Sequence, residues 1–425
     1  MLAILNRPVS AASLGVFRIF FGLMMTVSGI RFWAKGWIHD FYIAPPFLFT
    51  YPGFSWVQPW PEWGLYLHMG IVILSAILIT VGAYYRPAII TFFLGFTYIE
   101  LLDKTPYLNH YYAVSLIAFL MIFCPCHRAY SWDQYRYQWP KISPVPFLFI
   151  LILRCQLGII YVGAGLAKLN HDWLFLSQPL KLWLRGRSEL PLIGPLFDIP
   201  ITATLFSYTG LIYDLCIPFL LSISRTRPYA YCSVILFHLM TSLLFNIGLF
   251  PYMMIGLSLI FFPPDWPERQ PSSLLNQRCL VPAKCTYYGL ALFFCLQLLL
   301  PLRHHLYPGP VLWNEDGYRF SWHVMAMEKV GQVSFRIQAL DSQREWRVHP
   351  QEYLSDFQVK QMATQADMCH QFAQYLAQQI PFPVAIYADS VVSLNGRESV
   401  PYLNPKRNLL RPYQRNADLL LPYPW

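Results

Sequence analysis

The sequence predicts a polytopic α-helical membrane bundle of eight or nine helices, followed by a small β-rich α+β domain outside the membrane. Hydrophobic residues make up 56% of the 425 residues and charged residues only 12%, whereas soluble domains usually carry about 25% charged residues. Apolar runs recur up to residue 302, and apolar and polar residues alternate in several later segments. We therefore expect a transmembrane domain at 1–302 and a lumenal or periplasmic domain at 303–425.

Nine apolar runs predict the helices of the membrane domain. They lie at 12–30, 65–84, 88–102, 111–123, 147–166, 201–223, 229–249, 252–262 and 287–302. A spanning helix needs about 20 residues, and several of these runs are shorter. Short runs are re-entrant, tilted, or extended by polar residues that face the bundle interior. The expected number of helices is therefore eight or nine.

Positive charge in alternate loops predicts the orientation. The chain has a net charge of +9 but no basic run typical of nucleic-acid binding, so no nucleic-acid partner is expected. Cytoplasmic loops carry an excess of lysine and arginine, which places the N-terminus in the cytoplasm. The loop at 181–187 departs from this rule, because it also carries lysine and arginine but would lie on the other side of the membrane. The cationic residues of the alternate loops are Arg86, Arg128, Arg136, Lys141, Arg225, Arg227, Arg269, Arg278 and Lys284.

The C-terminal part shows the two-residue alternation of strands. Strands are expected at 333–340 and 346–349, and 383–394 predicts either one long strand or a strand pair. Asn-Gly at 395–396 is typical of a tight turn. A single polar helix is expected at 355–379, and the tail at 401–425 is expected to be extended.

A lysine follows the fifth apolar run, directly after a turn of small residues. The run closes with Gly163-Ala164-Gly165 and leads to Lys168. Small residues allow another segment or a ligand to approach closely. Burial disfavours the ammonium form, and a neutral amine near pH 7 is a usable general base. Lys168 is a candidate base; the alternative is an interface lysine that binds lipid headgroups.

A polar segment joins the third and fourth runs. It contains Asn109 and His110, whose side chains can hydrogen-bond an oxygen of a substrate, although a histidine at a helix start is often structural. Asp103 and Lys104 of the same segment are expected to form a local ion pair or a helix cap.

Further polar residues lie inside apolar runs, where ionisable groups are costly and therefore paired or functional. His238 is expected either to form a core hydrogen bond or to bind a ligand. Arg154 must pair, and Asp214 is the expected partner. The Cys-Pro-Cys sequence at 124–126 predicts a helix end, because no second pair of metal ligands follows it. No metal site is expected.

Five segments, in order, are similar to those of the vitamin K-dependent gamma-glutamyl carboxylases. They are LDKTPYLNHYY, LRCQLGIIYVGAGLAKLNHDW, FHLMTSLLFNIGLFPYMM, FFPPDWP and GYRFSWHVM. Any one segment would be a weak signal, but five in this order and spacing are specific. The resemblance extends over nearly the whole chain, from Phe17-Arg18 to the C-terminal tail.

The resemblance implies an enzyme that uses reduced vitamin K (the hydroquinone), oxygen and carbon dioxide. In that family a lysine deprotonates the hydroquinone, and the reaction with oxygen generates a strong base on the way to the epoxide. The base removes a γ-proton from a peptide glutamate, and the carbanion captures carbon dioxide. The implied partners are a Glu-containing peptide or protein and the membrane lipid.

The resemblance also assigns residues. Lys168 matches the catalytic lysine, and His110 with Asn109 matches a pair that supports the glutamate or the developing anion. Phe250 is implied to be a wall of the quinone site. The candidate substrate-binding residues are Trp322, His323, Met325, Phe250, His238 and Arg154.

Three features depart from the family pattern. Ala167 stands where animal members have a second lysine, and His323 where an acidic residue is usual. The chain ends at Trp425, near where members with a long lumenal region continue. We therefore expect a short homologue of the bacterial kind. It either carboxylates protein or retains only quinol epoxidation. An alternative function of a different class is that of a membrane transport or binding protein. Transporters often consist of two repeated halves, and no such repeat is evident in this sequence.

Overall fold

The computed structural model describes residues 2–140, 143–266, 281–342 and 344–425, and each of the nine apolar runs forms a helix. We number these helices α1 to α9. They lie at Ala12–Ala34, Glu62–Val81, Tyr85–Leu102, Asn109–Phe123, Leu148–Ala167, Pro200–Ser222, Arg227–Leu244, Phe250–Leu257 and Lys284–Leu302. Short helices lie at Leu2–Leu5, Trp37–Tyr42, Trp132–Arg136, His171–Phe175, Leu180–Arg185 and Val311–Asn314.

Five helices of the described residues are long and apolar enough to cross a membrane, namely α1, α2, α5, α6 and α9. The helices α3 and α7 have 18 residues each, and α4 and α8 are shorter. Among the described residues the bundle has one large apolar core and two smaller apolar clusters, and many large apolar side chains on its outside are exposed. The chain is therefore a polytopic membrane protein. A total of eight or nine spanning helices stays a prediction.

A buried arginine of α1 holds one end of the bundle together. Arg18 donates hydrogen bonds to the carbonyl oxygens of Cys126 (3.1 Å), Ile79 (2.5 Å) and Thr80 (2.5 Å). These carbonyls lie at or beyond helix ends, where backbone acceptors lack helical partners. One guanidinium therefore joins α1 to the end of α2 and to the segment after α4.

The cationic loops before α3 and after α4 meet at this same end. Arg86 of α3 donates to the Phe123 carbonyl oxygen of α4 (3.3 Å). A short antiparallel pair of strands, β1 (Pro8–Ser10) and β2 (Pro144–Pro146), joins the start of the chain to the start of α5. Three cations used for the orientation, Lys141, Arg269 and Arg278, lie outside the described residues. The cytoplasmic placement of this end stays a prediction.

A four-stranded antiparallel sheet forms the centre of the C-terminal part. Its order is β4–β3–β5–β6. The strands are β3 (Lys329–Ala339), β4 (Glu345–Val348), β5 (Val384–Leu394) and β6 (Val400–Pro401). The predicted strands are confirmed, and 383–394 forms one long strand that pairs with the whole of β3. Asn395 and Gly396 both have positive φ angles (53° and 76°) and form the predicted turn.

The prediction of one helix at 355–379 is wrong, because two helices form there. They are α10 (Asp356–Met362) and α11 (Ala366–Gln378). At the break, the carbonyl oxygen of Thr364 accepts a hydrogen bond from the Lys329 ammonium group of β3 (2.9 Å). A continuous helix would use that carbonyl internally. The break thus exchanges one helical hydrogen bond for a contact between helix and sheet.

Of the two expectations for Asp103 and Lys104, the local ion pair is wrong, whereas Asp103 does occupy the C-terminal cap position of α3. The ammonium group of Lys104 lies 2.6 Å from a carboxylate oxygen of Asp367 in α11, and Arg319 contacts the same oxygen at 2.9 Å. Asp103 instead accepts from the Thr105 backbone N–H (2.8 Å). The segment between α3 and α4 is therefore joined to the C-terminal part by a buried cluster of two cations and one carboxylate.

Asp367→Asn should destabilise the protein by about 3–5 kcal/mol, because it leaves two buried cations without a counter-charge. Burial by itself raises the pKa of Asp367, but the charges of Arg319 and Lys104 lower it below its usual range. The stabilisation is therefore present above the ordinary carboxyl pKa of about 4 and is lost as the pH falls below it. Thermal unfolding in detergent measures both effects. The exposed Asp341→Asn is the control, and equal stability of the two variants would contradict the prediction.

Candidate active site

Lys168 lies at the C-terminal end of α5 and forms a buried ion pair. Its ammonium group is 2.8 Å from a carboxylate oxygen of Asp214 in the middle of α6. It also donates to the carbonyl oxygens of Ala164 (3.0 Å) and Val324 (3.5 Å). Both charged side chains are only 7% exposed, so the pair is screened from water and its geometry depends on the groups packed around it.

The segment at 320–325, which follows α9, packs against this end of α5. A Cβ atom at Gly163 would lie 2.7 Å from the Trp322 ring, so only glycine allows this approach. Three non-glycine residues of the segment, Phe320, Trp322 and Met325, have positive φ angles of 63°, 59° and 52°. Such conformations cost about 1–3 kcal/mol each and concentrate at functional sites. The small residues before Lys168 therefore admit a strained segment.

Asn109 contacts the same segment. Its amide donates to the His323 carbonyl oxygen (3.3 Å), and its side-chain oxygen accepts from the Tyr107 hydroxyl group (3.0 Å). The backbone N–H of Phe320 in turn donates to the Tyr107 oxygen (2.7 Å). Asn109 thus positions the segment. The His323 carbonyl that it binds is adjacent in sequence to the Val324 carbonyl that Lys168 contacts.

His110 lines a cavity of about 200 Å³ between α1, α4 and the start of α8. Its ring stacks on Phe250, with ring centres 5.2 Å apart and planes at 29°. The helix predicted to reach residue 249 ends at Leu244, and the turn at 245–249 forms one side of the cavity. The lining residues are Met25, Ser28, Arg31, Trp37, Phe96, Leu108, His110, Tyr111, Val114, Asn246, Ile247, Gly248, Leu249, Phe250 and Met253.

Two buried groups of the 320–325 segment differ in their polar contacts. Nδ1 of His323 lies 2.9 Å from the Ser321 hydroxyl oxygen, and burial lowers the pKa of His323 to about 3, so its ring is neutral at pH 7. The Trp322 indole N–H is fully buried and has no hydrogen-bond acceptor among the described residues. Unsatisfied buried donors are rare in folded proteins and call for a partner.

Two family models match consecutive parts of the chain. The HTTM domain matches residues 6–266, and the lumenal domain of vitamin K-dependent gamma-carboxylase matches residues 282–423. The chain belongs to the vitamin K-dependent gamma-carboxylase family. No solved structure matches it. Lys168 and Asn109 of the first matched region both contact the segment at 320–325 in the second, whereas His110 lines a cavity that includes neither Lys168 nor this segment.

Two other candidate residues, Arg154 and His238, make contacts away from Lys168. The proposed pair of Arg154 and Asp214 is wrong, because Arg154 donates to the carbonyl oxygens of Ile260 and Phe262 (both 2.8 Å). Arg154 precedes Lys168 by 14 residues, about 21 Å along a helix, and the structure does not bring it to this site. His238 lies 2.9 Å from the Tyr161 hydroxyl oxygen, which gives it the core hydrogen bond expected as one alternative.

The loop after Lys168 is anchored to the C-terminal part of the chain by a second charged contact. Asp172 accepts two hydrogen bonds from Arg397 and one from Asn395, all at 2.6 Å. Burial raises the pKa of Asp172, but its hydrogen bonds with Arg397 and Asn395 lower it overall. This bidentate contact ties the end of α5 to the turn after β5 and fixes the backbone that carries Lys168.

Asp214 is the site residue that the sequence assigned to another partner. The contact depends on the register of α5 against α6, which hydrophobic periodicity does not determine. His110 and Phe250, which the resemblance assigns to the site, lie against each other in the structure, and nothing in the sequence showed that their rings stack. No group of three or more metal-ligating side chains occurs among the described residues.

Gly163→Ala should destabilise the protein by about 1–3 kcal/mol, because the added Cβ overlaps the Trp322 ring and overpacks the site. Gly158→Ala on the same helix is the matched control. A Cβ there would lie 3.7 Å from Pro218, an ordinary contact, and alanine has the better helix propensity. Thermal unfolding in detergent compares the two. If both variants have the stability of the wild type, Trp322 does not pack on α5 as described.

Proposed function

We propose that the protein is an integral-membrane gamma-glutamyl carboxylase. It couples the oxidation of vitamin K hydroquinone by oxygen to the carboxylation of peptide glutamate with carbon dioxide. The observation that carries this proposal is the buried pair of Lys168 and Asp214, closed over by the outer segment that also contacts Asn109. A buried amine next to a proton acceptor is what deprotonation of a hydroquinone requires.

Lys168 is the proposed base. It can accept a proton only as a free amine, and Asp214, at 2.8 Å, is the carboxylate to which its own proton can move. The Val324 carbonyl oxygen then orients the amine. Asp214 therefore acts as a positioning and proton-holding group for Lys168.

The described residues fit a flat apolar ring with oxygen substituents. The Trp173 ring lies 5.3 Å from the Lys168 nitrogen, and the unsatisfied Trp322 N–H is a donor for a ligand oxygen. Reduced vitamin K, when bound, supplies with oxygen the strong base that the reaction needs. Trp322, His323 and Met325 are proposed to border this substrate, with Phe250 as a wall towards His110.

We propose that the membrane domain spans 1–302 and contains the site, and that 303–425 lies in a lumen or periplasm with the N-terminus in the cytoplasm. A lipid-soluble quinone then enters from the bilayer, and a Glu-containing peptide arrives at the outer domain. His110, at the end of the bundle that meets the outer domain, is proposed to support the glutamate or its developing anion.

The alternative is a quinol epoxidase that does not carboxylate protein. The residue that favours it is His323, which replaces an acidic residue usual in the family and is neutral and held by Ser321. In this alternative Lys168 and Asp214 keep their roles in deprotonating the hydroquinone, but no peptide glutamate is carboxylated.

The purified full chain in lipid nanodiscs should incorporate labelled bicarbonate into a Glu-containing peptide when reduced vitamin K and oxygen are supplied. The expected result is label in the peptide together with vitamin K epoxide, and no label in a peptide that carries Gln instead of Glu. Epoxide without label would establish the alternative. Neither product would contradict both enzyme functions.

The double variant Lys168→Met/Asp214→Leu should fold but form no epoxide. Replacing a buried ion pair by apolar residues is often neutral for stability, whereas removing one partner costs about 3–5 kcal/mol. The double variant therefore separates chemistry from folding better than Lys168→Ala. Lys329→Met/Glu315→Leu is the matched control, since it removes another buried pair (2.7 Å) in the outer domain. Epoxide formation at the wild-type rate by the Lys168/Asp214 variant would refute the base assignment.

A further inference from the structure

The cavity beside His110 is cationic and apolar. Its cation is Arg31, no described lining residue is a carboxylate, and the remaining walls, which include the His110 ring, are largely aromatic and aliphatic. The cavity adjoins the outer domain, because the helix Trp37–Tyr42 supplies Trp37 to the wall and packs Phe41 against Phe357 of α10 (5.1 Å between ring centres). A ligand from the side of the outer domain therefore meets a positively charged cavity.

The Arg31 guanidinium is held in place but has no counter-ion in the described part of the chain. It packs over the Trp37 ring at 5.2 Å. A Cβ atom at position 248 would lie 3.1 Å from its Nη1 atom, and Gly248 has a φ angle of +64°. Glycine therefore both forms the turn and leaves the guanidinium open to the cavity. An arginine stacked on a ring keeps its donors in one plane, which suits a carboxylate.

We propose that Arg31 binds the γ-carboxylate of the substrate glutamate, in the cavity that it shares with His110. This inference rests on the proposed function and identifies the group that recognises its peptide substrate. A cavity of about 200 Å³ is smaller than the 300–1,000 Å³ of sites that enclose drug-sized ligands. It accommodates one amino-acid side chain.

The chemistry of the γ-carbon explains the need for a fixed cation. When the γ C–H bond breaks, its proton goes to the base that vitamin K supplies, and the electron pair spreads onto a carboxylate that is already negative. The pair then forms the new bond to the carbon of carbon dioxide. Arg31 stabilises the additional negative charge, and it does so more strongly in a cavity poor in water. Arg31 thus both recognises the glutamate side chain and favours removal of its γ-proton.

Lys35 provides a matched comparison on the same stretch of chain. It lies one helical turn after Arg31, and its ammonium group packs over the same Trp37 ring at 5.5 Å. Lys35 is exposed and does not line the cavity. A cation that served only to anchor α1 at the membrane interface would be replaceable at either position, whereas the proposed role belongs to Arg31 alone.

Binding of fluorescein-labelled peptides to the intact protein in nanodiscs tests the inference without turnover. The wild type should bind a Glu peptide about 10- to 100-fold more tightly than the matched Gln peptide, the range expected for a hydrogen-bonded charge pair. Arg31→Gln should remove this preference, Arg31→Lys should restore part of it, and Lys35→Gln should retain it. A preference that survives in Arg31→Gln would overturn the inference. If the wild type has no preference for the Glu peptide, the glutamate site is absent. The proposal of a peptide-glutamate substrate and the proposal for Arg31 then both fail.

Steady-state kinetics distinguish the occupants of the cavity. Arg31→Gln should raise the KM for the Glu peptide by about 10- to 100-fold and leave the KM values for hydroquinone and bicarbonate unchanged. A rise confined to hydroquinone or to bicarbonate would assign the cavity to that substrate and overturn the inference. If the wild type forms epoxide but never carboxylates the peptide, the carboxylation part of the proposed function fails. The binding measurement then tests independently whether Arg31 binds the glutamate carboxylate.

Discussion

The buried ion pair of Lys168 and Asp214 is the interaction on which the rest of the site depends. A lysine and an aspartate removed from water are stable only when geometry and additional hydrogen bonds offset the loss of hydration. Here the additional contacts are the Ala164 carbonyl oxygen of the same helix and the Val324 carbonyl oxygen of the segment at 320–325. The pair therefore reaches its full set of contacts only when the segment at 320–325 is packed against α5.

Charged contacts between the two regions hold that segment in place. Asp172 binds Arg397 beyond the end of α5, and Lys104 binds Asp367 before the start of α4. Arg319, next to the segment itself, contacts the same Asp367 carboxylate. These contacts are buried or half-buried. The Arg397 contact is bidentate and Asp367 is shared by two cations, so they contribute more to stability than exposed surface pairs do. They flank Lys168 and Asn109 and place the strained segment between them.

Much of the fold follows from the sequence. Every apolar run forms a helix, and the alternating segments form strands, because hydrophobic periodicity directly reflects burial. Periodicity does not give the register between helices, which is why Asp214 was assigned to Arg154 instead of Lys168. Nor does it reveal backbone carbonyls as partners, and these satisfy Arg154 and Arg18. Helix α11 is separated from α10 by a tertiary contact of Lys329, which no local pattern shows.

The family resemblance located Lys168 and His110, and the structure adds the groups around them. Asn109 holds a loop, His110 faces a cavity, and Arg31 is a cation at the end of an apolar run that looks like an ordinary interface anchor in sequence. A charge at such a position carries no sequence signal for function, because its role depends on the turn at 245–249 folding over it. The site is thus assembled from segments that are far apart in the chain.

The absorbance of hydroquinone bound to the protein in the absence of oxygen tests the central claim most directly, because ionisation of the hydroquinone changes its spectrum before any product forms. With the wild type we expect the spectrum of the deprotonated hydroquinone, and with Lys168→Met/Asp214→Leu, at matched occupancy, that of the neutral hydroquinone. The same deprotonated spectrum in both proteins would contradict the account, since the proton would then be removed by a group other than this buried pair.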